Sequence, residues 1–131
     1  MEWELSRKDR SFQFGRLLAV MDRAELDYYR NSNEDRQTNA IKSLANFKQT
    51  PLDVFERINE QLERAYLRRL LPWQRSRYDR LKGEIVGILD NFTKEELNKP
   101  LDAFYLIGYE LQRNEFFKSS KNDDTDNMEE E

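Results

Sequence analysis

A chain of 131 residues fits one domain with a single hydrophobic core, and its 37% charged residues and lack of any long apolar run exclude a membrane-spanning helix. Cysteine and histidine are absent and the four glycines form no phosphate-binding loop, so we expect no catalytic residue, no metal and no cofactor. The formal net charge of −4 argues against a nucleic-acid partner only if that charge is spread evenly. The first residues contain no apolar segment of the kind found in secretory signals, so we expect no such signal and a cytoplasmic protein.

The first part of the chain shows apolar residues at helical spacing. Over residues 10–30 the polar side chains of Arg16, Arg23 and Asp27 point away from the apolar side, which predicts an amphipathic helix with one solvated face. Asn33 is predicted to cap a second helix that ends near Lys48. The apolar side of the first helix comprises Phe14, Leu17, Leu18, Met21, Ala24, Tyr28 and Tyr29.

Three further helices follow, each with a proline near one boundary. Thr50-Pro51 predicts the start of the third helix, which continues to about Leu70 and is stopped by Pro72. The fourth is predicted over about residues 75–90 and the fifth over about residues 100–117. Apolar residues lie nearly all round the fifth helix, which predicts the most buried helix of the bundle or one that binds a partner.

These elements predict an all-α fold, a single five-helix bundle over residues 1–120 followed by a disordered acidic tail over residues 121–131. Gly15 and Gly108 each lie inside a predicted helix, where glycine costs about 1 kcal/mol relative to alanine. Their presence predicts a close approach between helix backbones. Gly83 and Gly87, four residues apart, predict the same for the fourth helix.

Charge is segregated along the chain. Of the 26 acidic residues six lie in residues 122–131, which leaves 20 acidic against 22 basic residues in the remainder. Residues 64–82 hold seven basic residues against Asp79 alone, although Arg69 falls inside the predicted apolar stripe of the third helix and is expected to pack there. The predicted nucleic-acid-binding residues, called the basic corner below, are Arg57, Arg64, Arg68, Arg75, Arg77, Arg80 and Lys82.

The basic corner has the chemistry that binds phosphate. A guanidinium is planar, donates two parallel hydrogen bonds to phosphate and keeps its charge. Trp73, Tyr66 and Tyr78 lie in the same segment, where they either stack on bases or pack within the protein. The alternative interpretation is a solvated helix face whose arginines pair with Glu60 and Glu63.

Four segments, in their order along the chain, are similar to a known family. They are residues 15–20, residues 50–57, residues 81–90 and residues 104–117. Over residues 10–118 the chain resembles the C-terminal helical part of the large subunit of the type I-C CRISPR Cascade complex. In that family this part is also made separately, by internal translation, as the small subunit. Because Met1 stands shortly before the first segment, we expect the chain to be that separate small subunit.

The resemblance implies a non-catalytic role in an RNA-guided antiviral surveillance complex. The implied partners are the Cascade backbone and large subunits, the crRNA-containing complex, the target and non-target DNA strands, and further copies of this chain, with no membrane. Sequence-independent DNA contacts would stabilise the R-loop, because strand exchange is nearly balanced in free energy. The alternative is a helical protein–protein adaptor whose basic face binds an acidic partner, and salt-dependent DNA binding distinguishes the two.

Overall fold

The computed structural model describes residues 4–130, with side chains for residues 4–118. No strand occurs in that part of the chain, so the predicted all-α fold is confirmed, but it contains seven α-helices where five were predicted. They are α1 Arg10–Asn31, α2 Asn39–Lys42, α3 Leu44–Gln49, α4 Pro51–Gln61, α5 Pro72–Leu89, α6 Lys94–Leu97 and α7 Phe104–Glu130. The predicted disordered tail, residues 121–131, lies outside the residues whose side chains are described and stays a prediction.

The two additional helices arise from short capped segments. Asn33 does not start a helix; with φ of 58° it follows the end of α1, in the left-handed conformation that asparagine tolerates. Thr38 caps α2 instead, its hydroxyl accepting a hydrogen bond from the Ile41 N–H at 3.2 Å. Thr93 caps α6 in the same way, its hydroxyl accepting a hydrogen bond from the Glu96 N–H at 3.1 Å. The Thr93 N–H donates in return to Glu96 Oε1 at 3.3 Å, which completes a capping box.

The predicted third helix is regular only in its first half. After α4 the chain makes a π-helical turn over Leu62–Tyr66 and a 3₁₀ turn over Leu67–Arg69. The wider π turn shifts the phase of the helix, so Leu67 is buried and Arg69 is exposed. The prediction that Arg69 packs in the apolar stripe is therefore wrong, because it assumed a constant rotation per residue.

The first helix, and not the fifth, is the central helix of the bundle. Every residue from Ser11 to Asp22 is buried, and α1 packs against both α5 and α7. The prediction of a solvated polar face on α1 is wrong, since Arg16 and Asp27 are 1% and 3% exposed. The last helix is less buried than predicted and leaves Phe104, Leu106 and Phe117 at the surface, each more than 40% exposed.

The polar side chains of α1 are buried because other elements supply partners for them. Arg16 donates from Nε to Gln112 Oε1 at 2.9 Å and from Nη1 to the Leu5 carbonyl at 2.8 Å. Glu25 accepts hydrogen bonds from the Tyr29 hydroxyl at 2.6 Å and from the Asn39 N–H at 2.8 Å. A buried polar group without such a partner would cost about 1–3 kcal/mol, so these bonds are a condition for burying α1 on all sides.

Two glycines set the distance between α1 and α7. A Cβ added to Gly15 would lie 1.9 Å from the Tyr105 carbonyl oxygen, and one added to Gly108 would lie 2.0 Å from the Phe12 carbonyl oxygen. The predicted close backbone approach is therefore confirmed for this pair. It is wrong for Gly83 and Gly87, which are exposed and would have nothing within 4 Å of an added Cβ.

We expect Gly15→Ala and Gly108→Ala to destabilise the fold by about 3 kcal/mol or more, because a backbone carbonyl blocks each new methyl group and the two helices must separate. Gly83→Ala and Gly87→Ala are the matched controls and should stabilise it by about 0.5–1 kcal/mol each, because alanine is the better helix former where space is free. Urea unfolding of the four variants measures both effects. Equal changes in the free energy of unfolding for the two pairs of variants would contradict the close crossing of α1 and α7.

A second expectation concerns Asp22, which is buried and accepts a hydrogen bond from the Thr38 hydroxyl. Burial raises the pKa of this carboxyl, although the bond from Thr38 and the nearby Arg113 lower it. A raised folded-state pKa means that the contribution of Asp22 to stability is fully present below the unfolded pKa of about 4 and is lost as the pH rises through the folded pKa.

In Asp22→Asn the side chain does not ionise, so this loss of stability with rising pH is absent. The amide oxygen of the asparagine can still accept a hydrogen bond from the Thr38 hydroxyl. We therefore expect the free energy of unfolding of the variant to improve relative to the unsubstituted chain as the pH rises from about 4 to 7. Denaturant unfolding at several pH values gives this difference. A difference that stays constant over the range would show that Asp22 ionises alike in the folded and unfolded states.

Candidate nucleic-acid interface

The basic corner is built where two parts of the chain meet. Arg57 lies on α4, Arg64 in the π turn and Arg68 in the 3₁₀ turn that ends at Arg69. The other members lie on α5, which begins at Pro72. The part of the corner before Pro72 and the part on α5 are therefore close along the chain. Gln74 holds the start of α5 by accepting a hydrogen bond from the Leu71 N–H at 2.9 Å.

One set of cations in the corner faces solvent. Arg64 has a side chain that is 73% exposed, and its contact with Glu60 is long, at 3.9 Å. Arg57 is also exposed and donates to Ser43 Oγ at 3.3 Å. The exposed members of the corner are Arg57, Arg64, Arg68 and Arg80. Arg69 is exposed as well, next to Arg68, although the sequence analysis did not include it in the corner.

A second set pairs with acidic or amide groups of the protein. The Arg77 side chain is 12% exposed and its guanidinium lies 2.8 Å from the Asp27 carboxylate, which also contacts Arg23 at 3.2 Å. Burial raises the pKa of the Asp27 carboxyl, and the two arginines act in the opposite direction. Arg77 therefore lies in a mostly buried ion pair that joins α5 to α1.

Lys82 and Arg75 are intermediate between these two sets. Lys82 Nζ donates to Asn59 Oδ1 at 2.6 Å and lies 3.3 Å from Glu63, with 21% of its side chain exposed. The Arg75 side chain is 42% exposed and lies 3.1 Å from Asp79, one turn along α5. Both have a partner on a neighbouring turn or helix that a phosphate would have to replace.

The three aromatic residues of the segment also separate by exposure. Tyr66 packs on Tyr28, with ring centroids 4.4 Å apart, and Tyr78 is buried with its hydroxyl 3.1 Å from Asn59 Oδ1. Trp73 is 51% exposed. Of the two uses predicted for these aromatics, packing therefore applies to the tyrosines, and Trp73 alone of the three has a free surface.

A cleft of about 230 Å³ adjoins the corner between α1, α5 and α7. Its lining carries both signs of charge, because Glu84 and Glu115 line the cleft together with Arg80 and the buried Arg16. Arg16 lies 3.5 Å from Glu84 and its guanidinium is otherwise hydrogen-bonded within the protein, which argues against a phosphate pocket there. Burial lowers the pKa of Arg16, and the Glu84 carboxylate raises it.

Neither a metal centre nor a membrane segment is present in the part of the chain that the structure describes. No group of three or more acidic side chains there is arranged to hold a metal ion. No helix within the same residues is long and apolar enough to cross a membrane.

Comparison with known families identifies the family of the chain. The family model of the CRISPR-associated protein Cas_Csd1 matches residues 1–117. The chain belongs to this family. The resemblance to a type I-C Cascade protein is therefore confirmed, and the chain is a component of that kind of CRISPR complex. A search of curated proteins finds no match.

The Cas_Csd1 match extends from the N-terminus to Phe117 on α7, so it includes the crossing of α1 over α7 and every residue of the basic corner. The surface described above therefore lies within the residues that the family model matches.

The two sets of arginines should respond differently to substitution. We expect Arg77→Met to destabilise the fold by about 3 kcal/mol, because removing one member of a buried ion pair leaves the Asp27 carboxylate poorly compensated. The control Arg80→Met on the same helix should change stability by no more than about 0.5 kcal/mol, since Arg80 is exposed. Thermal or urea unfolding compares them. If both variants unfold like the unsubstituted chain, the Arg77–Asp27 pair has no structural role.

Proposed function

We propose that the chain is the non-catalytic small subunit of a type I-C Cascade complex and works in the cytoplasm. In this role it binds DNA without reading its sequence and stabilises the target and displaced strands of the R-loop. Membership of the Cas_Csd1 family supports a place in Cascade. The observation that carries the DNA-binding part is the group of exposed arginines in the basic corner, above all Arg64 and Arg68.

The physical argument for this function rests on the small free-energy difference between an R-loop and the duplex that it replaces. Guide pairing replaces one duplex with another of similar stability, so modest additional contacts decide whether the loop persists. Contacts from arginine to phosphate supply free energy without base recognition, mainly through charge and the release of counterions. A fixed group of guanidinium groups on a helical scaffold suits that task.

A non-catalytic role is supported by the side chains available. The sequence contains no histidine or cysteine to act as base, nucleophile or metal ligand. The acidic side chains of α1 are engaged in internal pairs, such as Glu25 with Tyr29 and Asp27 with Arg77. We accordingly propose that the subunit contributes binding free energy and leaves strand cleavage to other proteins.

Contacts to other proteins are proposed for the exposed apolar residues of α7. Phe104, Leu106 and Phe117 on α7 are between 41% and 50% exposed. Apolar surface of this kind supports binding to the backbone and large subunits, to the crRNA-containing complex or to further copies of the chain. The same residues favour the second candidate function, a helical adaptor that binds only proteins, with the basic face against an acidic partner.

The double substitution Arg64→Glu and Arg68→Glu tests the proposal. We expect it to weaken R-loop formation by reconstituted complex by a similar factor on unrelated target sequences. The salt dependence should also flatten, by about 0.9 per lost contact on duplex DNA and about 0.7 on a single strand. Folding should be unaffected, because both side chains are exposed. The measurement is R-loop formation across a salt series.

Lys94→Glu with Lys99→Glu is the matched control. It changes the net charge by the same amount, but at exposed positions near the start of α4, where Asn98 contacts Asp53. The control should behave like the unsubstituted complex. Unchanged R-loop formation by the arginine variant at every salt concentration would favour the adaptor.

A further inference from the structure

Trp73 is a large apolar side chain exposed among cations. It is the second residue of α5 and is 51% exposed, and the neighbouring Leu71 is 48% exposed. Arg68 and Arg69 precede it in the 3₁₀ turn, and Arg80 follows two helical turns later on the same side of α5. The ring is therefore presented to solvent, with exposed members of the basic corner before and after it along the chain.

The Trp73 ring is also held in place from beneath. The Arg77 guanidinium carbon lies 5.0 Å from the centroid of the Trp73 ring and, equally, 5.0 Å from that of Phe116 on α7. Arg77 cannot move away easily, because its guanidinium pairs with the buried Asp27 carboxylate at 2.8 Å. A side chain ordered in advance loses little conformational entropy when it binds a ligand.

We propose that Trp73 is a stacking platform for an unpaired nucleobase, which gives the basic corner a preference for single-stranded over duplex DNA. The inference rests on the proposed DNA-binding function and adds to it the class of strand and the residue that selects it. An unpaired base offers an open face to an aromatic ring, whereas the bases of a duplex are covered by their neighbours. The exposed arginines would hold the sugar–phosphate backbone on either side.

The residues around Trp73 favour a nucleobase, and not an apolar pocket of another protein, as the partner of its ring. Cations lie before and after the ring along the chain, at Arg69 and Arg75, and cations attract a polyanion and are costly to desolvate in an apolar interface. Phe117 gives a comparison within the same chain, since it is also exposed and lies 5.7 Å from the Arg113 guanidinium carbon, but it belongs to α7 and not to the basic corner.

The test uses the full chain and three probes: an oligothymidylate, an abasic strand of the same length and a duplex of the same length. Trp73→Leu should bind the oligothymidylate about tenfold more weakly and leave binding to the abasic strand and the duplex unchanged. Trp73→Phe should retain most of the affinity for the oligothymidylate, because phenylalanine also stacks. Phe117→Leu is the matched control and should change none of the three.

A spectroscopic measurement shows whether the ring itself meets the bases. The chain contains two tryptophans, so Trp3→Phe leaves Trp73 as the single tryptophan, whose emission can be excited selectively over that of the six tyrosines. Its fluorescence should be quenched by the oligothymidylate and not by the abasic strand at equal saturation. Quenching that is the same with both strands, or absent with both, would overturn the stacking proposal.

The inference and the proposed function fail in different ways. If Trp73→Leu binds all three probes like the unsubstituted chain while Arg64→Glu with Arg68→Glu weakens all three, phosphate binding stands and stacking is refuted. If Trp73→Leu disturbs only the assembly of the complex, the ring belongs to a protein interface and the proposal is also wrong. Failure of the unsubstituted chain to bind the oligothymidylate would refute it as well.

Discussion

The crossing of α1 over α7 at Gly15 and Gly108 is the contact on which the arrangement of the other helices depends. With backbones this close, α7 covers one side of α1 while α5 covers another, and the part of α1 from Ser11 to Asp22 has no side left for solvent. Its polar residues are then inside the protein and must be paired there. Arg16 finds Gln112 on α7, and Asp27 finds Arg77 on α5.

The pairing inside the bundle determines what the surface presents. Because Asp27 binds Arg77, the rotation of α5 is fixed, and Arg80, one turn further along the same helix, is left exposed beside that pair. The π turn after α4 has a similar effect, since the shift in phase that buries Leu67 turns Arg69 to solvent. The exposed part of the basic corner is therefore a consequence of core packing and not only of local charge.

How far the sequence predicts this molecule depends on the range of the interaction concerned. Local signals were sufficient for the all-α class and for the proline at the start of α4. The glycine argument was correct for Gly15 and wrong for Gly83, because a helical position does not show whether another helix will cross it. The burial of Arg16 depends on Gln112, 96 residues away. A helical wheel shows only the residues of one helix, so it could not reveal that partner. For the same reason the charge excess of residues 64–82 was visible, whereas the pairing of Arg77 with Asp27 was not.

The division between paired and exposed cations also decides what salt can affect. Ions screen exposed charges over about 10 Å at moderate ionic strength, and they screen mostly buried pairs much less. The Arg77–Asp27 pair, with side chains 12% and 5% exposed, should keep α5 and the Trp73 ring in position while salt weakens the attraction between Arg64 and phosphate. Stacking on Trp73 is likewise short-ranged and carries no net charge. A strand held by both kinds of contact would lose its electrostatic part first as salt rises, and the binding that remained would depend on its bases.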